Sequence, residues 1–359
     1  MEYGSTGSTR QSQALLEAAR SGNEQAFGRL VDGHTAELRA YCYAMLGSLH
    51  DAEDALQETL LRAWRGLPRF EGRSSLRRWL YRIATNASLD LIARRPKRVL
   101  PLEHGPAADP GRGPREPLLE SAWVEPFPDD PRFLEAGVEA PEARYEQREA
   151  VELAFIVALQ HLPARQRAVL ILREVLGFSA REVADMLDAT VGSVTNALRR
   201  ARKAVAERLP EQSQQTTLRL LGDARLRDLV ERYVAAWERG DLEAIISMLT
   251  EDARFSMPPE PTWYRGREAI EVFLAESALR DRWRFVPVRA NGQVAFATYS
   301  WDAARAHYRA SGVDVLTLRG ARVSAVTAFL APTLVSQFGL PDELPTSTPA
   351  GVAGISSGH

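Results

Sequence analysis

Between Phe178 and Lys203 the chain carries residue types that can read a base pair, at a spacing that would present them together. Ser179-Ala-Arg-Glu182 has the reciprocal pattern of a capping box and opens a helix through Leu187. Asp188-Ala189 supplies a turn, and Thr190 can cap a second helix with Val191, Val194 and Leu198 facing inward. That is the helix-turn-helix layout, with the second helix left to enter a major groove. Its outward residues are Gly192, Ser193, Thr195, Asn196 and Arg199. Asparagine can pair bidentately with adenine, and serine and threonine reach several base edges. Arg181, Arg200, Arg202 and Lys203 extend the basic side toward phosphates, which position a protein without reading sequence. The same spacing also fits a plain helical hairpin with a solvated basic face.

A second group suits unpaired strands. From Arg62 to Arg98 there are eleven Lys and Arg against Glu71 and Asp90, a local charge of +9. Within it Arg69, Phe70, Arg73, Ser74, Arg77, Arg78, Tyr81 and Arg82 interleave guanidinium groups with aromatic rings. Single-stranded nucleic acid needs cations for its phosphates and ring faces for its bases. Trp79 lies on an apolar stripe and reads as core. A third group, Asp51, Asp54 and Glu58 with Glu53 alongside, forms an acidic helix face, a pattern that elsewhere is often just solubilising.

Helices position all three groups. Ala26, Phe27, Leu30 and Val31 open one amphipathic helix, continued by Leu38, Tyr41, Cys42 and Met45. Ala52, Ala55, Leu56, Thr59, Leu60, Ala63 and Trp64 recur at three and four residues, with Asp51, Asp54, Gln57, Glu58 and Arg62 on the other side, until Leu67-Pro68 ends the run. Ser74 or Ser75 can cap a third helix bearing Leu76, Trp79, Leu80, Ile83, Ala84 and Ala87 inward, which Pro96 ends. Residues 99–140 hold eight prolines, four glycines and a local charge of −6, the composition of an acidic linker. Helices resume over 141–210, and 211–217 reads as a short polar connector. Residues 1–21 and the tail at 346–359 read as disordered.

From 218 to 345 the pattern changes class. Leu226, Leu229, Val230, Tyr233, Val234 and Trp237 form a helix that Gly240 can close, and further helices span Leu242–Leu249 and Arg267–Leu279. Strand-like runs follow at Trp283–Val288, Gln293–Tyr299, Val313–Leu318 and Arg322–Phe329, with a hairpin signal at Asn291-Gly292. Helices followed by an antiparallel meander predict a separate α+β domain. Asp302 and His307 are candidates for facing a ligand there, with Trp263, Tyr264 and Tyr299 as walls. The chain of 359 residues has ordinary composition, 45% apolar and 26% charged, which excludes a mainly disordered protein. It has no run long enough to span a membrane and no secretory signal pattern. Its one cysteine, Cys42, and six scattered histidines offer neither an internal disulfide nor metal-ligand spacing. The reading is cytoplasmic, with no metal and no cofactor expected.

Two long motifs carry a specific resemblance. Asp51-Ala-Glu-Asp-Ala-Leu-Gln-Glu-Thr-Leu-Leu-Arg-Ala-Trp64, followed by Trp79-Leu-Tyr-Arg-Ile-Ala-Thr-Asn-Ala-Ser-Leu-Asp90, resembles region 2 of the extracytoplasmic-function sigma factors. Leu162-Pro-Ala-Arg-Gln-Arg-Ala-Val-Leu-Ile-Leu-Arg-Glu174 with the helix-turn-helix is similar to their region 4. The match spans 22–98 and 141–210, two all-α domains. It implies that Asp51, Asp54, Gln57, Glu58 and Arg62 dock on the clamp helices of the RNA polymerase β′ subunit. It implies that the loop from Leu67 to Ser74 and the next helix capture unpaired bases of the −10 element, with Asn86 near its upstream edge and Arg94 and Arg95 on flanking phosphates. Region 4 would read the −35 duplex and touch the β flap, and the acidic linker would thread a polymerase channel. Three departures stand out: Leu60 where the family often has Phe, Thr195-Asn196-Ala197 where many members carry two cations, and Asp188 in place of a turn glycine.

The C-terminal domain resembles the SnoaL/NTF2-like fold, a cone of helices over a curved sheet, through Ala236-Trp-Glu-Arg-Gly-Asp-Leu-Glu-Ala244, Asp252-Ala-Arg-Phe-Ser-Met257 and Tyr264-Arg-Gly-Arg-Glu-Ala-Ile270. The Met257-Pro-Pro-Glu-Pro-Thr-Trp-Tyr264 stretch resembles the fused subgroup best represented in actinobacteria. That fold hosts isomerases, cyclases and non-catalytic domains, so it leaves activity open. The resemblances imply a non-enzymatic promoter-recognition subunit, controlled in cis by a C-terminal domain that binds a small molecule or self-associates. The rival is a helix-turn-helix regulator fused to a ligand-binding or isomerase-like domain, which leaves the acidic face and the Arg62–Arg98 block without a role.

Overall fold

The computed structural model describes residues 5–111, 116–118, 123–129 and 152–345, with side chains from residue 13 onward. These form two compact units. The expected tail at 346–359 and part of the expected linker, 130–140, lie outside the described residues.

The first unit takes residues up to Pro96 together with Ala158–Arg208. Its helices start where side chains satisfy the first orphan amides. Asn23 caps α2 (Glu24–Leu46) by accepting from the Ala26 N–H at 3.0 Å, and Ser48 and Ser75 do the same for α3 (Leu49–Gly66) and α4 (Leu76–Ile92). Gly47, at φ 68, ends α2 in the left-handed conformation that glycine adopts without strain. Leu38, Tyr41, Cys42, Met45, Ala52, Ala55, Leu80 and Ala84 are all at most 2% exposed, so the apolar stripes meet as one core. Burial pushes the Cys42 thiol up to about 12, which leaves it inert at neutral pH. Residues 1–21, expected to be disordered, instead contain α1 (Ser5–Arg20). Its Leu15 and Leu16 pack with Ala19 against Leu67, Phe70 and Trp79, apolar surface enough to order it.

α5 (Leu153–Gln160), whose residues up to Val157 belong to the second unit, leads to α6 (Ala164–Leu170), continued by a π turn at Ile171–Val175. Then come α7 (Ala180–Met186) and α8 (Val191–Ala206). The capping box forms as expected: the Glu182 carboxylate accepts from the Ser179 N–H at 2.8 Å while Ser179 Oγ accepts from the Glu182 N–H at 3.2 Å. Asp188 takes the left-handed turn position at φ 48.

The second unit joins Lys97–Asp129, the residues 152–157 and everything from Leu209. Over its sheet lie α9 (Gln214–Leu221), α10 (Asp223–Arg239), α11 (Leu242–Met248), α12 (Arg267–Glu276) and the short α13 (Thr333–Gln337). The strands are β1 (Leu249–Ser256), β2 (Trp263–Arg265), β3 (Trp283–Ala290), β4 (Gln293–Asp302), β5 (His307–Arg319), β6 (Arg322–Phe329) and β7 (Glu343–Leu344). They run in the order β2-β1-β6-β5-β4-β3, with β1 parallel to β6, the remaining pairs antiparallel and β7 added on β5. Asn291 and Gly292, at φ 55 and 67, make the tight β3–β4 turn. At Gly312 the chain passes so close to β6 that a Cβ would sit 2.0 Å from the Phe329 carbonyl oxygen. The core lies between α10 and the sheet, where Tyr233 stacks on Phe296 and Trp237 on Phe285, both at 5.0 Å.

Two stretches expected as spacers are built into this unit. In 99–129, Trp123 and Phe127 are 3% and 2% exposed, Val99 bridges to Trp123, and Arg98 donates to the Trp123 carbonyl at 2.7 Å. The connector at 211–217 is the start of α9, with Gln214 and Gln215 buried. Proline content and polarity suggested solvated chain in both cases. The backbone groups are instead satisfied by the sheet and its loops.

Candidate nucleic-acid and polymerase surfaces

On α8, Val194, Leu198, Ala201 and Val205 are buried, which turns Ser193, Thr195, Asn196, Arg199, Arg200, Arg202 and Lys203 outward. Thr190 caps the helix by accepting from the Ser193 N–H at 3.2 Å. Val191, expected inward, is 48% exposed, because it occupies the first helical position, on the solvent side of the stripe. Arg181 on α7 is exposed as well. Arg202 pairs with Glu174 at 2.8 Å, so that cation is partly neutralised within the unit. The result is a capped helix with hydroxyl, amide and guanidinium groups on one open face, the inventory that base-edge and phosphate contacts require.

The basic block divides. Arg69, Arg73, Asn86, Arg94 and Arg95 are exposed and Ser74 and Arg78 half-buried. Phe70 and Tyr81, expected to offer ring faces to bases, are 7% and 0% exposed. Phe70 packs on Trp79 at 4.9 Å, while the Tyr81 hydroxyl donates to Glu37 at 3.0 Å. Arg77 pairs with the same carboxylate at 3.0 Å and lies over the Phe178 ring at 4.8 Å. Arg82 reaches Asp188 at 3.1 Å, and Arg73 pairs with Glu71. Several cations expected to meet phosphate are therefore held by carboxylates here. Glu37 escaped notice, since its partners lie 40 and 44 residues away.

The acidic face is smaller than expected. Asp51 is 1% exposed and lies 3.0 Å from Arg95, because it falls in the first turn of α3 beside the Ser48 cap. Gln57 is exposed, and the side chains of Asp54 and Glu58 are 43% and 45% exposed. Arg62 ties Glu58 at 2.6 Å to Asp90 on α4 at 3.1 Å. Leu61, 49% exposed, adds an apolar side chain to this surface.

In the second unit the five expected ligand-facing residues do not converge. Trp263 and Tyr264 lie on β2, an edge strand. The Trp263 indole N–H donates to the Gly105 carbonyl at 2.9 Å, and Tyr264 is core, stacked on Phe273 at 4.6 Å. His307 is on β5, three strand positions away, and Tyr299 and Asp302 are on β4, four away. There Tyr299 donates to the Pro341 carbonyl at 2.9 Å, Asp302 accepts from the Ala304 N–H at 3.0 Å in the hairpin turn, and His307 lies 3.3 Å from Glu343. The β3–β4 turn has other work. The Asn291 side chain accepts from the Phe127 N–H at 2.9 Å, and Asp129 accepts from the Gly292 N–H at 2.8 Å. One residue on, the Gln293 side chain accepts from the Leu153 N–H at 3.0 Å. Glu152, 4% exposed, accepts from the Gln214 and Gln215 N–H groups at 3.0 and 2.8 Å and so caps α9.

Comparison with known proteins agrees with this division. Residues 30–98 match the Sigma-70 region 2 family, 152–205 the Sigma-70, region 4 family and 230–326 the SnoaL-like domain. The ECF RNA polymerase sigma factor SigG of Mycobacterium tuberculosis is 42% identical over 340 residues, covering 91% of this chain and 89% of its own. The RNA polymerase sigma-H factor of Pseudomonas aeruginosa is 30% identical over 200 residues, 55% of this chain and 94% of its own. Among solved structures, the extracytoplasmic function sigma factor SigJ of Mycobacterium tuberculosis shares the fold at a TM-score of 0.53 and 21% identity, over 86% of this chain and 96% of its own. Helical regions 2 and 4 and a SnoaL-like domain in one chain, with a relative matched almost end to end, place the protein: it belongs to the extracytoplasmic-function family of RNA polymerase sigma factors, in the form that carries a C-terminal SnoaL-like domain.

Proposed function

We propose that the chain binds core RNA polymerase through Asp54, Gln57 and Glu58 of α3 on the β′ clamp helices, with region 4 on the β flap. In this reading α8 reads the −35 duplex, with Asn196, Thr195 and Ser193 at base edges and Arg199, Arg200 and Lys203 on phosphates. Arg69, Arg73, Arg78, Asn86 and Arg94 contact the −10 element, and Arg77 and Arg82 join them when their carboxylate partners are exchanged for phosphate. The C-terminal domain controls promoter use in cis and performs no chemistry of its own.

The observation that carries the control reading is the attachment of 97–129 to the C-terminal domain. Hydrogen bonds run from Ala108 to the Trp263 carbonyl at 2.8 Å, from Leu118 to the Pro259 carbonyl at 2.9 Å, and both ways between Phe127 and Asn291 at 2.9 Å. A segment held there cannot at the same time thread a polymerase channel. Substituting Phe127→Ala with Asn291→Ala removes a buried ring and its anchoring amide. Run-off transcription from a cognate promoter should then rise at least several-fold over the parent chain. Unchanged output together with unchanged affinity for core would remove the control reading and leave the sigma activity standing.

A further inference from the structure

The loop between α3 and α4 is held by more than those two helices. Leu67-Pro-Arg69 makes one 3-10 turn after α3, Phe70 follows in extended backbone, and Gly72 takes φ 72. Ser75 then caps α4 by accepting from the Arg78 N–H at 3.2 Å. Leu67 and Phe70 are buried, at 0% and 7% exposure, while Arg69, Glu71 and Arg73 are exposed. The buried pair meets α1, a helix that precedes the residues matching the region 2 family. Leu15, Leu16 and Ala19 of α1 form one apolar cluster with Leu67, Phe70 and Trp79. At the end of the same helix, the Arg20 guanidinium donates to the Phe70 carbonyl, 50 residues along the chain.

That donor is itself fixed. Gly22, at φ 92, closes α1 in a Schellman turn: the Gly22 N–H donates to the Ala19 carbonyl and the Asn23 N–H to the Ala18 carbonyl, both at 3.1 Å. Asn23 goes on to cap α2, so Arg20 stands on a rigid corner and not on a free end. The Phe70 carbonyl it holds marks the point where the buried part of the loop gives way to the exposed part. A loop that binds an unpaired strand gains from being ordered in advance, because binding otherwise bears the cost of immobilising it. A displacement of about 1 Å in a positioned group is enough to lose most of its effect.

We propose that Arg20 is a positioning residue for −10 recognition: from α1 it pins the Phe70 carbonyl and so sets where Arg69 and Arg73 meet the unpaired strand. The inference rests on the reading that this loop captures −10 bases. It adds a helix and a residue to which that reading gives no role.

The test uses holoenzyme assembled from core polymerase and the full-length chain. It is offered two pools, single-stranded DNA and duplex DNA, each with a randomised window, and the retained molecules are sequenced. The parent chain should enrich a preferred sequence from each pool. Arg20→Ala should lower the single-strand enrichment by at least about fivefold, the scale of one lost hydrogen bond, and leave the duplex enrichment unchanged. Arg20→Met, which keeps the apolar stem, should do the same and keeps the test decisive if the Ala variant does not fold. Arg20→Lys, which keeps a cationic donor, should restore most of the enrichment, and Glu17→Gln on the exposed side of α1 should change neither pool. A merely structural role would lower the DNA retained from both pools alike and leave the enrichment ratios in place; that result overturns the proposal. The Arg69→Ala, Arg73→Ala double variant separates the two possible failures. If it abolishes single-strand enrichment while Arg20→Ala and Arg20→Met do not lower it, positioning by Arg20 falls alone. If the double variant leaves that enrichment intact, or the parent chain shows none, the −10 reading of the loop falls with it.

Discussion

Arg167 is 5% exposed, and its guanidinium donates to the Met45 carbonyl, to the Gln160 side chain at 2.6 Å, and to the Gln160 and Leu162 carbonyls at 3.1 and 3.3 Å. Burial pushes its pKa down to about 10, still far above neutrality, so it stays charged. Replacing it by Met should cost roughly 2–3 kcal/mol, the scale for losing charge-assisted hydrogen bonds to buried acceptors, and a thermal melt would measure it. Asp314 acts in the opposite sense. Its folded pKa, about 8, lies above that of an unfolded aspartate, so the folded chain binds the extra proton. Its contribution therefore destabilises progressively as pH rises from the unfolded value toward about 8. Asp314→Asn should flatten that part of the stability profile and raise the melting temperature most at the alkaline end; an unchanged slope would show that the carboxyl is solvated. Side-chain roles of this kind were only partly legible. Asp314 interrupts the Val313–Leu318 strand on the same side as Leu316 and Leu318, a visible signal. The burial of Asp51, Phe70 and Tyr81 was not visible, because it depends on partners such as Arg95, Trp79 and Glu37 that only tertiary structure brings near.

At the scale of elements, caps and periodicity carried the helices. Ser75, Ser179, Thr190 and Gly240 end or begin helices where their chemistry says they should. The hairpin at Asn291-Gly292 is likewise written in residue type, since both positions need positive φ. Strand β1 was missed: Glu251, Asp252 and Arg254 break its apolar pattern, and its pairing with β6 spans some seventy residues of chain. The segment 99–129 was misread for a related reason, as its few apolar residues find their partners in a distant domain. Two consequences follow for α8. Asn196→Ala should cost about 1–3 kcal/mol on the preferred −35 sequence and relax specificity there, as for a bidentate base contact. Lys203→Ala should instead weaken all sequences alike and lower the salt slope by about one. Binding isotherms over a set of −35 variants and salt concentrations separate the two. Ser179→Ala removes the hydroxyl half of the capping box and should cost about 1 kcal/mol of stability.

Across the whole molecule, the unit built on the C-terminal domain takes in more of the chain than the sequence suggested. It includes 97–129 and holds Glu152 and Leu153 at the start of region 4 through Gln214, Gln215 and Gln293. Cutting the chain near Gln212 would leave the Glu152 carboxylate without the α9 N–H groups that donate to it, so truncation tests stability and control together. Point substitutions at the β3–β4 turn are the cleaner probe. The most direct measurement is run-off transcription with purified core polymerase over a genomic promoter library, using the full-length chain and the Phe127→Ala, Asn291→Ala double variant. Promoter-specific transcripts, more abundant with the variant, are the predicted result. No transcripts from either protein, with no retention on core polymerase, would contradict the account.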